Sequence, residues 1–547
     1  MASSSRISPD QTVRQIASTF QDCQNILHRL PGARRGDRWT LQQLAPFARQ
    51  AGVDERLLLQ ELSKVANVPV ELKPPSRSPQ PSLVLIFLAL VVGLSLGTVF
   101  GVGLLLRIAI GGAYDSVPGA SVHVHGIAQL WGWMTLFIFG VAAHVLRQNS
   151  KRPAPLCLDW TAAAFVLAGL IAFFIGLSAH VRANLPQIDI IGSSLLLGAA
   201  IFFAISVGWS LSGAVNGQRK HGLIFLVAWL LIWAVADLSL RIRYANVPVL
   251  PDSPRTLLIV LPVLGVATNA IYGFGLRLIP GLLNLRQLRS KWFAPALLMH
   301  NAGLFLFLTP IHPLQMLGSA FMLLGAIAYL VGLDLLRGKP SRPIYGIDPR
   351  GHILIRVAFF WLICGMTMIV VQQYFPSLPH AYSGAWRHAL TVGFVTTMIL
   401  GVGNRILPIF LRQPLASNRL MLLSAALIII GNTGRVSLEL LTIGGWTWSY
   451  RLMGLTGVLE LAALTLFALN IAATAQKRKR TYAATQPLTP DTRVQEAVNV
   501  QPAIQERLRQ LGITMFDDSP FIAPSMTLGA LALASGLEPE VLIQQVR

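Results

Sequence analysis

The sequence predicts an all-α polytopic membrane protein: twelve transmembrane helices in three pseudo-symmetric arcs of four, with a small helical cytoplasmic domain at each end. Composition, the spacing of basic loops and two internal repeats predict it. Of 547 residues, 53% are hydrophobic and 12% charged, and the mean hydropathy is +0.58, too apolar for a soluble chain of this size. The formal charge of +21 would suggest nucleic acid in a soluble protein, but here it sits in loops between apolar stretches, so no nucleic-acid partner is expected. Cys23, Cys157 and Cys364 lie far apart and form no C-x-x-C, which argues against a disulfide framework, a zinc ribbon or an iron–sulfur cluster.

From the N-terminus, residues 1–72 read as a small helical domain and 73–82 as a linker. Met1 to Asp10 is polar and lacks the apolar core of a cleaved signal peptide, so the first span is expected to drive insertion. The membrane domain covers 83–474, a basic linker 475–490, and a second small domain 491–547. The terminal domains repeat each other. Asp10, Val13, Leu27 and Leu30 match Asp491, Val494, Leu508 and Leu511 at one offset. Thr40-Leu41 with Leu44-Ala45 then matches Thr527-Leu528 with Leu531-Ala532, and Gly52-Val53-Asp54 with Leu58 matches Gly536-Leu537-Glu538 with Leu542. Both copies resemble the small N-terminal helical domain of iron–sulfur-repair di-iron proteins, without the central cysteine pair common there. A docking or self-association module is the expected role, with a cytoplasmic protein or a second copy as partner.

Apolar stretches of roughly 20 residues, the length that crosses a bilayer, begin near Leu83, His123, Trp160, Ile190, Gly222, Thr256, Phe293, Leu314, Ile353, Trp386, Leu420 and Tyr450. Lys and Arg near helix ends are retained in the cytoplasm, and alternate loops carry them: Arg147, Lys151 and Arg152; Arg219 and Lys220; Arg286, Arg289 and Lys291; Arg337, Lys339, Arg342 and Arg350; Arg405, Arg412 and Arg419; and Lys477 to Arg480. Both termini are therefore expected in the cytoplasm, the membrane being a bacterial inner membrane. Arg241, Arg243 and Arg255 break the rule from the outer side.

A second repeat lies inside the membrane domain. The second span closes as Gly140-Val141-Ala142-Ala143-His144-Val145-Leu146-Arg147, the sixth as Gly273-Phe274-Gly275-Leu276-Arg277-Leu278-Ile279-Pro280 and the tenth as Gly401-Val402-Gly403-Asn404-Arg405-Ile406-Leu407-Pro408. Recurrence every four spans implies three equivalent arcs about a pseudo-threefold axis. A cytoplasmic anchor alone would explain the arginines but not the shared order.

Ionisable groups in hydrocarbon are costly and point to chemistry. His123 and His125 open the second span and His388 the tenth, at similar depth in the outer leaflet. Two imidazoles facing each other across a bundle can clamp a haem iron. His123 and His125 are about 200° apart on an ideal helix, so only one of them is expected to face His388. Hydrogen-bonded packing is the competing role for any single such histidine.

His123-Val124-His125-Gly126 followed by Gln129, with Arg387-His388-Ala389-Leu390-Thr391-Val392-Gly393, resembles the NnrS family, described as haem- and copper-containing membrane proteins associated with nitric oxide stress. Twelve spans in threefold arrangement also resemble the catalytic subunit of haem-copper oxidases and nitric oxide reductases. The resemblance covers about Leu83 to Thr474 and rests on the second and tenth helices. It implies that His125, with Gly140 some four turns on, and His388, with Gly401 and Pro408, are the axial ligands of one b-type haem. The high-spin ligand of the oxidases falls on Trp386. The sixth span offers no copper ligand and the seventh only His300, so a complete haem-copper centre is not expected; a copper site of another design would use His300 or His123.

Arg387, Arg435, Arg241 and Arg243 suit haem propionates, although Arg435 with Glu439 and Arg241 with Asp237 also stand at pairing distance along a helix. Gln129 either orients a ligand or bonds between helices. Trp131 and Trp133 read as packing, His300 as a packing histidine, and Glu460 as neutral and hydrogen-bonded or as part of a proton path. His144 and His221 fall at cytoplasmic ends, His312 and His380 in outer loops. The resemblance implies handling of nitric oxide, with an oxidoreductase activity on nitric oxide or in electron transfer left open. The alternatives are a divergent respiratory oxidase or nitric oxide reductase subunit, and a cofactor-free transporter lined by Glu460, Asp237 and Arg435.

Overall fold

The computed structural model describes residues 81–476, apart from residues 151, 179–184, 186, 213–217, 246, 248, 284, 286–289, 336–348 and 412–414. It also describes 488–494, 497–498, 503–511, 513, 527–534 and 537–546, and, among the first eighty residues, Ile16, Cys23 and Leu62. The chain divides into two compact units, Met1–Gln80 and Pro81–Arg547. In the first, Ile16, Cys23 and Leu62 are buried, and the Cys23 thiol donates to the Leu62 carbonyl over 3.4 Å. The positions of the first terminal repeat lie outside the described residues, as do the basic residues within 286–289 and 336–348 that were expected on the cytoplasmic side, and the basic run 477–480.

Every regular element among the described residues of the second unit is helical. Among the described residues, eleven helices are long and apolar enough to cross a membrane. We label them α1 (Pro81–Gly111), α2 (Gly119–Arg147), α3 (Leu156–Ile175), α4 (Ile188–Ser212), α5 (His221–Arg243), α6 (Asp252–Leu276), α8 (His312–Leu333), α9 (His352–Tyr374), α10 (His380–Pro408), α11 (Asn418–Ile443) and α12 (Trp448–Gln476), with α7 for the shorter apolar helix Phe293–Phe307. The seventh span expected near Phe293 is thus only 15 residues long. At 1.5 Å per residue it rises about 22 Å, against a hydrocarbon thickness of about 30 Å. Helix α7 packs closely on α8: a Cβ on Gly303 would lie 2.6 Å from the Gly318 carbonyl oxygen.

Three helices form the inside. The most apolar windows of α2, α6 and α10 are each 83% buried, against 39% to 56% for the other eight spans. Each of the three carries a π-helical segment: Ala128–Thr135, Leu261–Ala267 and Ala389–Thr396. A threonine at or just past its end turns its hydroxyl back on a carbonyl five residues earlier, Thr135 on Leu130 (2.8 Å), Thr268 on Val263 (2.9 Å) and Thr397 on Val392 (3.0 Å). These bonds occupy carbonyls that the widened helix leaves less well satisfied, where no bulk water can serve them.

The recurring glycines pack each inner helix on the one before it. A Cβ on Gly132 or Gly140 would strike Val92 or Ile86 of α1; on Gly265 or Gly273, Trp229 of α5 or Gly222 and Leu223; on Gly393 or Gly401, Trp361 of α9 or Leu354 and Ile355. The three inner helices line a small apolar cavity of about 80 Å³, bordered by Met134, Phe137, Ala270, Phe274, Val395 and Met398 among others. Above it the Trp133 indole donates to Thr396 Oγ1 over 3.2 Å, joining α2 to α10.

The described C-terminal helices are α13 (Ala503–Gln510), α14 (Leu528–Ala534) and α15 (Pro539–Val546). They share a core of their own that includes Val494, Leu508, Leu528, Leu531, Ala532 and Leu542, the apolar positions of the terminal repeat.

Candidate functional site

Glycines of α1 bring α2 close enough to place its histidines. Gly93, Gly97 and Gly101 recur every fourth residue and meet Trp133, Gln129 and His125, which recur every fourth residue in the opposite direction. A Cβ on Gly101 would stand 2.4 Å from His125 Cε1, so only glycine leaves the imidazole its place. Between this helix pair, α5, α6, α10, α11 and α12 lies a cavity of about 450 Å³, within the usual range for small-molecule and cofactor sites. His123, His125, Gln129, Arg387, His388 and Arg435 all line it; His300 does not. His123 and His125 both border the cavity, but His123 Nε2 is taken up by Arg241, which lies outside it.

The two ligand candidates share one hydrogen-bonding pattern. His125 Nδ1 donates to the Gly97 carbonyl over 3.0 Å. His388 Nδ1 faces two acceptors, Glu439 Oε2 at 3.0 Å and the Gly384 carbonyl at 2.9 Å. Because carbonyl and carboxylate oxygens only accept, Nδ1 carries the proton in both rings and Nε2 holds the lone pair. Among the described residues Nε2 of neither ring takes a hydrogen bond. Two basic nitrogens thus border one cavity, each fixed from behind as metal-binding imidazoles are.

Charged groups surround them. Glu439 is buried and gives its other oxygen to Arg435 Nη2 at 3.0 Å, so the pairing read from the i,i+4 spacing does form. Arg435 Nε and Nη1, Arg387 Nε, Arg255 Nε and Glu460 Oε1 are buried without a hydrogen-bond partner among the described residues, and the four side chains that carry them line the cavity with Glu439. Arg387 Nη2 donates to Thr256 Oγ1 over 2.6 Å. Tyr114, in the turn Tyr114–Ser116 between α1 and α2, also lines the cavity, and burial holds its hydroxyl above the usual tyrosine range, with the Glu439 charge adding to the shift.

The remaining candidates are occupied elsewhere. Arg241 contacts His123 and lies 3.6 Å from Asp237 and 3.7 Å from Asp189; neither it nor Arg243 lines the cavity. Gln129 Nε2 donates to Thr98 Oγ1 over 3.3 Å, an interhelical bond. His300 Nε2 bonds the Leu264 carbonyl at 2.8 Å and its ring meets Tyr272 edge-on. Trp386 donates to Gln372 over 2.6 Å and is turned to α9. His380, expected in an outer loop, opens α10 and lines the cavity. Among the described residues no three of His, Cys, Asp and Glu group as a metal site.

Sequence reasoning missed Gly97, Gly101 and the contact of Glu439 with His388. The G-x3-G-x3-G run of α1 was the available signal for the first two; nothing in the sequence joined Glu439 to His388.

Fold and site together define an all-helical polytopic membrane protein with a paired-histidine cavity between its helices. Residues 82–478 match the family model described as NnrS protein, and the chain belongs to that family. No curated protein sequence matches the chain.

Proposed function

We propose that the chain holds one b-type haem between His125 and His388 and serves in nitric oxide handling or protection from nitrosative stress. The single observation behind it is the pair of imidazoles bordering one cavity with Nδ1 engaged and Nε2 free. The walls fit the group: Gly101 clears a place for the His125 ring, and Arg435 and Arg387 offer unpartnered N–H groups suited to propionates. Bound there, haem would supply a redox-active iron able to take an electron or a diatomic gas.

The protein's own part is to orient the ligands and exclude water. Gly97 and Glu439 fix the tautomers of His125 and His388, and Val102, Leu105, Ile108 and Val395 supply apolar wall. Ligation by both histidines suits electron transfer, and gas binding requires one to leave. A copper site on His123 or His300 would need ligands beyond the described residues, because no third donor groups with either.

The same reading places twelve spans, α7 included, in three arcs of four. The equal burial of α2, α6 and α10 and their matched glycine pairs support it. Basic loops support an inner-membrane location with cytoplasmic termini, and the terminal domains would then dock a cytoplasmic partner or a second copy.

The test is purification in mild detergent, with oxidised and dithionite-reduced spectra of the wild type, His125→Ala and His388→Ala. Low-spin b-type bands in the wild type, lost in either variant, are the expected result. A colourless wild type after haem-supplemented expression refutes the proposal and leaves a cofactor-free transporter.

A further inference from the structure

The two imidazoles are held unequally. His125 Nδ1 has one neutral acceptor, the Gly97 carbonyl at 3.0 Å. His388 Nδ1 has two, and one is the buried carboxylate of Glu439 at 3.0 Å. Arg435 binds the other carboxylate oxygen and so holds Glu439 in place without occupying the oxygen that faces His388. A carboxylate behind an imidazole pushes electron density toward Nε2 and strengthens it as a metal donor; a peptide carbonyl does so less.

We infer that His388 is the retained axial ligand and His125 the exchangeable one, so that a diatomic ligand enters on the His125 face of the haem. This rests on the haem reading above. Space is available on that face: a Cβ on Gly126, beside His125, would meet nothing within 4 Å. On the other side, a Cβ on Gly384, one turn before His388, would already stand 3.1 Å from the Glu439 carboxylate.

The experiment uses the full-length haem-loaded protein, reduced with dithionite, and carbon monoxide as the probe. The ligand opposite carbon monoxide sets the C–O stretching frequency. Wild type and His125→Ala should share one frequency, because His388 stands opposite in both. His125→Ala should bind carbon monoxide at least about tenfold more tightly, since no imidazole must first dissociate. Glu439→Gln should shift that frequency upward and raise the reduction potential. A wild-type frequency matched by His388→Ala instead, or no carbon monoxide binding by the wild type, overturns the inference while leaving the haem reading intact. Should Glu439→Gln fail to accumulate, the comparison of wild type with His125→Ala decides alone. A wild type without haem refutes both.

Discussion

Gly101→Ala tests whether the close approach of α1 to α2 sets the His125 ring. The added methyl would lie 2.4 Å from Cε1 and 2.8 Å from Nδ1, so the ring must retreat by about 1 Å to reach ordinary van der Waals contact. Gly97 lies on the same helix as Gly101, and a retreat of that size carries the 3.0 Å bond to its carbonyl to about 4 Å, beyond hydrogen-bond range. Loss of an outer-shell partner of a metal-ligating histidine typically lowers affinity about 10- to 100-fold, or roughly 1.4–2.8 kcal/mol. Haem titration of the apoprotein reads this directly, and the low-spin bands should weaken together with the affinity. Gly103→Ala is the control, because a Cβ there meets nothing within 4 Å. It should leave haem binding unchanged and slightly favour the helix. Wild-type affinity and spectra in Gly101→Ala, within about a factor of two, would refute the assignment of the α1 glycines as the ring's cradle.

Gly222→Leu should abolish accumulation of folded protein, since a Cβ at Gly222 already lies 2.7 Å from the Gly273 backbone; Gly208→Leu, with open space around its Cβ, should accumulate normally, as size exclusion in detergent will show. Arg435→Gln strips Glu439 of its buried cation and should destabilise the protein by about 3–5 kcal/mol in thermal or denaturant unfolding, whereas Arg435→Gln with Glu439→Gln should recover most of that loss. Leu531→Asp, at a fully buried position of the C-terminal core, should unfold that core while leaving the haem spectrum unchanged; loss of the spectrum would tie the two regions together.

Helix positions were legible because a bilayer demands length: α9 starts at His352 and α12 at Trp448, within two residues of the hydropathy reading. The short α7 was not, because hydropathy sees apolar residues and not the turn that ends the helix at Phe307, ahead of Thr309 and Pro310. The π-segments were invisible for another reason. Inner helices are apolar on nearly every side, so a widened turn leaves no mark in the hydrophobic period. Of the candidate site, depth singled out His123, His125 and His388, the preference for His125 came with the family resemblance, and one cavity is lined by these three with Arg387, Arg435 and Gln129. The partners behind the rings were not legible, because the Gly97 carbonyl is backbone and Glu439 reaches His388 across 51 positions of chain.

If the three arcs are equivalent, the site is where their sequences stop being so. Aligned on Gly132, Gly265 and Gly393, the position of His125 falls on Leu258 in α6 and Trp386 in α10, and that of His388 on Ile127 in α2 and Val260 in α6. The shared glycines and threonines build the same helix packing three times. Ligand-capable side chains occupy only α2 and α10, and Leu258 contributes nothing but apolar wall to the cavity they share. Trp131 of α2 stacks on Trp233 of α5 at 4.2 Å, and both rings are walls of that same cavity. The repeat thus accounts for the scaffold, and its departures at four positions account for a single site in place of three.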